Sequence, residues 1–106
     1  MSHYKLCFYV PESHLESVKA AVFAAGAGRM GDYECCSFEI KGTGQFRPLA
    51  GSNPFIGAQG ELEKVVEYRV ETLCVGETVR DAAVAALRAA HPYEEPAFDV
   101  WKLEVL

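Results

Sequence analysis

The chain contains the same succession of patterns twice, a strand-like alternation followed by an amphipathic helix. Tyr4 to Val10 alternates between two faces, which is typical of a half-buried β-strand, and Glu61 to Cys74 does so over a longer stretch. Apolar residues at helical spacing follow each strand, in 14–25 and in 78–90. A glycine or a proline comes after each helical stretch, and such residues end helices.

Two further segments complete the predicted order of elements. Cys35 to Lys41 alternates as a second strand, and Gly42 to Gly44 is expected to turn the chain so that Gln45 to Leu49 returns as a short hairpin partner. Ala97 to Leu106 is predicted as the last strand. Its apolar residues switch from even to odd positions partway, which predicts a β-bulge near Val100 and Trp101. We expect the even-numbered side chains of the first three strands to face the helices.

The order β-α-β-β-α-β predicts an α+β, ferredoxin-like fold. In this arrangement a four-stranded antiparallel sheet carries two helices on one face and leaves the other face free. A chain of 106 residues is of a size to form one domain around one core, so we expect a single domain over 1–106.

The charge balance limits the classes of partner. Lysine and arginine total 10 and aspartate and glutamate total 15, so the net charge is −5. Because a phosphate backbone is polyanionic, this balance argues against a nucleic-acid partner. No apolar run reaches the length of a membrane span, and the first residues lack the apolar stretch of a secretory signal. We therefore expect a cytoplasmic protein that binds neither nucleic acid nor membrane.

The four cysteines are at positions 7, 35, 36 and 74. None are spaced as Cys-x-x-Cys, which excludes a zinc ribbon and a thioredoxin-type motif. We expect reduced thiols, and the favoured interpretation is that they are small buried apolar residues.

Gly26 to Gly31 matches the pattern G-x-G-x-x-G of dinucleotide-binding proteins, but in the wrong context. That motif requires a strand before it and a helix after it, whereas here a helix precedes and a strand follows. A helix end followed by a tight turn is the favoured interpretation. The alternative is a small-anion cradle of backbone amides, and on that account Tyr33 and Cys35 are candidate ligand-binding residues.

The most distinctive cluster lies between Pro92 and Pro96, two residues that restrict the backbone. His91, Tyr93 and Glu94 are candidate ligand-binding residues. An imidazole and carboxylates at this spacing could share a divalent ion such as zinc, copper or nickel, with His91, Glu94 and Glu95 as the metal ligands. One chain supplies too few ligands for a closed site, although symmetry could add more.

The favoured alternative for this cluster is structural. In it, His91 interacts with the last helical carbonyls, and the helix end together with the glutamates holds the imidazole charged. The pKa of His91 would then be raised.

Residues 50–60 form a long loop without periodicity, rich in glycine, asparagine and proline. Phe55 and Ile56 are apolar residues in this polar segment. They either fold back onto their own core or insert into a neighbouring subunit, and Phe55 is a further candidate ligand-binding residue.

A resemblance to a known family rests on four stretches, 26–38, 42–48, 57–63 and 91–99. Together they resemble the domain inserted into YqfO-type proteins of the Nif-three-like family. The His-Pro-Tyr-Glu-Glu-Pro motif of the last stretch is also similar to CutA proteins, which share the trimeric, ferredoxin-like architecture of PII signalling proteins. The resemblance implies a CutA/PII-like fold, and it favours a homo-trimer over a dimer and insertion of the 50–60 loop into a neighbour.

The resemblance covers the inserted domain only. Flanking halves of the full-length family members supply a two-metal site from histidine, aspartate and glutamate, and no part of this chain resembles them. It implies neither that site nor a cyclohydrolase-like activity here, so we expect the inserted domain standing alone.

We therefore expect a non-catalytic, homo-oligomeric binding or regulatory module that takes a small metabolite or a metal ion at its subunit clefts. A metal-binding protein that uses the His91 cluster is the first alternative, and a remnant of a hydrolase-like enzyme is the second. Beyond copies of itself, a protein partner is a further expectation.

Overall fold

The computed structural model describes all residues, 1–106, and they form a four-stranded antiparallel sheet with two helices on one face. The predicted ferredoxin-like order is confirmed, with the strands arranged β2-β3-β1-β4. The elements in chain order are β1 (His3–Pro11), a 3-10 turn (Glu12–His14), α1 (Leu15–Ala24), β2 (Ser37–Phe46), β3 (Glu63–Val75), α2 (Glu77–Ala90) and β4 (Phe98–Leu103).

The hydrophobic core lies between the two helices and the two central strands. As predicted, the even-numbered side chains of β1 point into it, and so do those of the C-terminal half of β3. Phe8 is fully buried, and burying a side chain of this kind contributes about 1.5–3 kcal/mol to folding. The remaining core residues are Tyr4, Leu6, Val10, Leu15, Val18, Val22, Ala27, Val70, Cys74, Ala83 and Leu87.

The prediction for the faces of β2 is wrong. Glu39 pairs with Val70, a core residue, and paired residues of antiparallel strands lie on the same face. The odd-numbered side chains of β2 therefore face the helices, and Phe38 and Ile40 lie on the opposite face, where they are 63% and 55% exposed. Alternation shows that a strand has two faces, but for an edge strand it does not show which one is turned inward.

The predicted hairpin at Gly42 to Gly44 is also wrong. These residues continue β2, which pairs with β3 from Ser37 to Phe46 without interruption, so the chain reverses in 47–62 instead. The predicted bulge in the last strand does not form either. β4 pairs residue for residue with β1 from Phe98 to Leu103, and the residues beyond it lie outside the sheet.

The first and last strands are neighbours in the sheet. His3, at the start of β1, pairs with Leu103, at the end of β4. The chain therefore enters and leaves the sheet side by side. Neither helix combines the length and the apolar composition that a membrane crossing requires.

Candidate functional site

A cavity of about 270 Å³ lies at one end of the sheet face that the helices leave uncovered, which we call the open face. Its wall includes side chains from the ends of β1 and β2 and the first half of β3, and two loops, 47–62 and 91–97, complete it. The lining residues are Tyr9, Gln45, Phe46, Pro48, Ser52, Pro54, Phe55, Ile56, Glu67, Tyr93, Glu94, Glu95 and Ala97.

Tyr93 lies at the centre of this arrangement. Its ring centroid is 4.9 Å from that of His91, 5.9 Å from that of Phe46 and 6.5 Å from that of Phe55. Its hydroxyl oxygen is buried and has no hydrogen-bond partner within normal geometry. A buried hydroxyl without a partner costs free energy, so a ligand group or a water that fills this position would be stabilised there.

Glu67 extends along the open face towards the same hydroxyl. Its side chain passes directly over Gly44, where any side chain would collide with the carboxylate. Burial of the phenol, together with the nearby Glu67 carboxylate, raises the pKa of Tyr93 well above its usual value. The phenol therefore stays protonated and keeps a proton to donate.

His91 packs against Tyr93 without lining the cavity, and both of its ring nitrogens form hydrogen bonds with the backbone. Its Nε2 lies 2.7 Å from the carbonyl oxygen of Tyr9, and its Nδ1 lies 3.1 Å from the backbone nitrogen of Tyr93. A carbonyl accepts and an N–H donates, so the ring is neutral, with its proton on Nε2. Burial lowers the pKa of His91, which corrects the expectation that the helix end and the glutamates would raise it.

The residues expected to bind a metal do not fit a metal ion in this arrangement. Nε2 of His91 carries the proton and donates to the Tyr9 carbonyl, and the lone pair on Nδ1 accepts from the N–H of Tyr93, so no nitrogen is free to coordinate. Glu94 and Glu95 are exposed, and the structure contains no group of three or more histidine, cysteine or acidic side chains placed to hold an ion. We derive no metal chemistry from this cluster.

The long loop folds back onto its own chain. The backbone N–H of Asn53 donates to Oε1 of Glu94 at 3.0 Å, and the ring of Phe55 packs edge-on against His14 with a centroid distance of 5.3 Å. The first of the two alternatives for this loop therefore describes the single chain. Phe55 remains 53% exposed, so part of its ring is available to a ligand or a partner.

Tyr33 and Cys35 lie elsewhere, in the glycine-rich turn after α1. Met30 and Tyr33 form an isolated β-bridge with both hydrogen bonds at 2.9 Å, which agrees with the turn interpretation. Tyr33 is 75% exposed, and Cys35 is exposed with a positive φ of 58°. Neither residue lines the cavity, so the structure separates them from Phe55, Tyr93 and Glu94, which it brings together.

The cysteines are all free thiols, as expected, but they do not share one environment. Cys7 and Cys74 are buried, whereas Cys36 is half-buried and Cys35 is exposed. Burial raises the pKa of the thiols of Cys7 and Cys74, so both stay protonated and unreactive at neutral pH.

Most of the lining residues were not among the sequence candidates, and Tyr9, Phe46 and Glu67 are the aromatic and charged side chains that were missed. Tyr9 and Glu67 were predicted only as members of the first and third strands. Two glycines within a strand, Gly42 and Gly44, are the signal that could have indicated a close approach of another group there.

The open face also carries exposed apolar side chains beyond the cavity. Trp101 of β4 is 44% exposed and lies on this face together with Phe38 and Ile40 of β2. Between them, Arg69 pairs with Glu71 at 3.3 Å. The face is therefore mixed, with apolar groups towards both edges and an ion pair near the middle.

Comparisons with known proteins support the fold and identify a group of homologous proteins. The GTP cyclohydrolase 1 type 2 homolog of Halalkalibacterium halodurans is 50% identical over 102 residues, which are 96% of this chain and 27% of that protein. A crystal structure of a Bacillus cereus protein related to NIF3 matches with a TM-score of 0.82 and 38% identity, over 98% of this chain and 26% of that one. No family model matches the chain.

A third comparison concerns the fold alone. CutA from Xylella fastidiosa matches with a TM-score of 0.68 and 18% identity, and the match covers 99% of this chain and 86% of that one. The chain spans about a quarter of the length of the first relatives it matches. The chain is a homologue of one segment of the NIF3-related proteins named GTP cyclohydrolase 1 type 2 homolog, and this segment has a CutA/PII-like fold.

Proposed function

We propose that the chain is a non-catalytic binding module that associates with copies of itself and takes a small ligand in the cavity beside Tyr93. The observation that carries the proposal is the buried hydroxyl of Tyr93, which has no partner and lies among the aromatic lining of a cavity of about 270 Å³. Ligand sites in proteins have this composition, a mainly apolar wall with a few polar groups that orient the ligand. The cytoplasm remains its expected location.

The proposed self-association uses the open face. Phe38, Ile40 and Trp101 would lose their exposed apolar surface if a second copy packed against it, and such burial favours association. The cavity opens on the same face, so a neighbouring copy would also reduce its access to water. We expect a trimer, with a dimer as the alternative.

The absence of catalysis is part of the proposal and rests on the groups nearest the cavity. His91, the closest imidazole, has both nitrogens bound to the backbone, and the hydroxyl of Ser52 donates to the carbonyl of Leu49 at 2.6 Å. Neither is placed to activate a nucleophile. The name of the relatives refers to proteins about four times as long, so their activity is not carried over to this chain.

Light scattering tests the self-association. Wild type is expected to give the mass of three chains at micromolar concentration, and Phe38→Glu or Ile40→Glu the mass of one chain with unchanged circular dichroism. Leu49→Glu, at a site 70% exposed and in the 47–62 loop, is the matched control and should keep the wild-type mass. A monomeric wild type would contradict the proposed self-association.

Ligand binding is tested by NMR with isotope-labelled aromatic residues. In a screen of neutral and charged fragments at millimolar concentration, we expect some compounds to shift the ring signals of Phe46, Phe55 and Tyr93 while that of Phe8, in the core, stays unchanged. A screen in which no compound moves the three cavity rings would overturn the proposed binding function.

A further inference from the structure

The charged side chains that line the cavity are all of one sign. Glu67, Glu94 and Glu95 line it, and no lysine, arginine or histidine is among the lining residues. Arg69 contacts one lining residue from outside, with its guanidinium carbon 5.9 Å from the ring centroid of Tyr9, and it pairs with Glu71. The cavity is therefore a region of negative potential, which disfavours phosphates and carboxylates as ligands.

The walls between these carboxylates are aromatic. Tyr9, Phe46, Phe55 and Tyr93 contribute four rings to the lining. The face of an aromatic ring attracts a cation that approaches within about 6 Å, and this attraction adds to that of a nearby carboxylate. Rings also provide apolar surface for the uncharged part of an organic molecule.

Two polar groups that line the cavity retain hydrogen-bonding capacity for a ligand. The hydroxyl of Tyr93 has no partner, and one oxygen of Glu94 accepts from Asn53 while its other oxygen has no hydrogen bond. An ammonium group has three hydrogen-bond donors and no acceptor, so its donors match the acceptor oxygens of a carboxylate and of a protonated phenol. A primary ammonium group beside the phenol can donate to its oxygen and to the carboxylate of Glu67, which lies close to it.

We propose that this cavity binds a small primary amine in its protonated form, with an aromatic or other apolar body against the four rings. The inference rests on the proposed ligand-binding function and adds the chemical class of the ligand. A bare metal ion is a poorer match, because the cavity lacks a group of three or more ligands for one. A nucleotide is disfavoured by the three carboxylates.

Three probes of similar size and different charge test the inference. They are 2-phenylethylamine as the cation, 2-phenylethanol as the neutral analogue and 3-phenylpropionate as the anion. In titrations of the full chain followed by NMR at pH 7 and low salt, we expect the amine to bind about tenfold more tightly than the alcohol and the acid to bind least. Added salt should weaken the binding of the amine and leave the affinity for the alcohol unchanged.

Variants assign the effect to the cavity. Glu67→Gln and Glu95→Gln should each reduce the preference for the amine over the alcohol by about threefold to tenfold, because each removes one charge and keeps the size of the side chain. Glu104→Gln, beyond β4 and exposed, changes the net charge equally and should leave the preference unchanged.

The two proposals fail in different ways. If the alcohol or the acid binds as tightly as the amine and shifts the ring of Tyr93, the assignment to amines is overturned while the binding function stands. If Glu104→Gln lowers the preference as much as Glu67→Gln, the selectivity comes from the net charge, and the assignment is likewise overturned. If the amine binds without shifting the cavity rings, it binds elsewhere and the inference fails.

Discussion

Nζ of Lys19 lies 2.7 Å from Oε1 of Glu39, which joins α1 to the edge strand β2. The two side chains are largely covered, with 16% and 32% of their surfaces exposed. Hydrogen bonding to Glu39 raises the pKa of Lys19. The contact is possible only because the odd-numbered side chains of β2 face the helices, so it depends on the pairing register of β2.

The contribution of this ion pair is measurable by a double-mutant cycle. We expect a coupling free energy of about 1 kcal/mol between Lys19→Met and Glu39→Gln in urea unfolding, because the partly covered pair is less screened than a surface pair. Lys19 also lies 3.5 Å from Glu16, which is 79% exposed, and the cycle with Glu16→Gln is the control. Equal coupling in both cycles would contradict the predicted importance of the strand contact.

The stability of the protein should increase with pH on account of His91. Since burial lowers the pKa of folded His91 below its ordinary value of 6.5, the unfolded chain takes up the proton first as the pH falls. The stabilisation from neutral His91 is complete above about 6.5 and is lost as the pH falls from there through the pKa of the folded state.

The measurement is the urea midpoint at several pH values between about 5.5 and 8. In wild type it should rise with pH more steeply than in His91→Gln, which keeps a donor for the Tyr9 carbonyl but does not titrate. A midpoint that falls as the pH rises would show that the sign is wrong.

Gly44 should be needed for the position of Glu67. A side chain at Gly44 would overlap the carboxylate, so Gly44→Ala is expected to displace Glu67 and to destabilise the fold by about 1 kcal/mol. At Gly42 the nearest atom to an added Cβ is the carbonyl oxygen of Glu67 at 4.0 Å. Gly42→Ala should therefore be neutral, or stabilising by about 0.4–1 kcal/mol through the unfolded chain.

The effect of Gly44→Ala in the Glu67→Ala variant shows whether the loss of stability comes from this clash or from another effect at Gly44. In Glu67→Ala the cost of Gly44→Ala should disappear in thermal or urea unfolding, because the overlapping side chain is gone. If the cost persists at its full value, the displacement of Glu67 is not its cause.

Gly28 and Gly31 in the turn after α1 should differ in their tolerance of alanine. Both have positive φ, of 80° and 56°, which costs about 1 kcal/mol for a residue with a side chain. At Gly28 the added Cβ would also lie 3.0 Å from the backbone nitrogen and oxygen of Cys36, whereas at Gly31 nothing lies within 4 Å. We expect Gly28→Ala to be less stable than Gly31→Ala by about 1–3 kcal/mol in urea unfolding. Equal losses would mean that the turn relaxes freely.

The parts of the fold that were predictable from the sequence are those set by local patterns. The alternation of Tyr4 to Val10 identified β1 and its inward face, because a central strand must bury that face. The faces of β2 were not predictable, since Cys35 and the turn before it decide which parity enters the sheet, and an edge strand with exposed Phe38 and Ile40 has no apolar face that must turn inward.

The candidate site was predictable to a similar extent. Two prolines within five residues identified the segment with Tyr93 and Glu94, because they restrict its backbone. Glu67 and Phe46 were missed, since their place in the cavity depends on the register of β2 against β3 and on where the chain reverses. Both are properties of pairing between distant segments, which no local pattern of residues encodes.

The pairing of His3 with Leu103 has a consequence for how such a fold is joined to other polypeptide. Paired residues of antiparallel strands have their Cα atoms about 5 Å apart, so a host domain need open at only one peptide position to accept the whole sheet. Two adjacent strand ends are thus enough to join a fold of this kind to a chain about four times as long, which is the length of the relatives it matches.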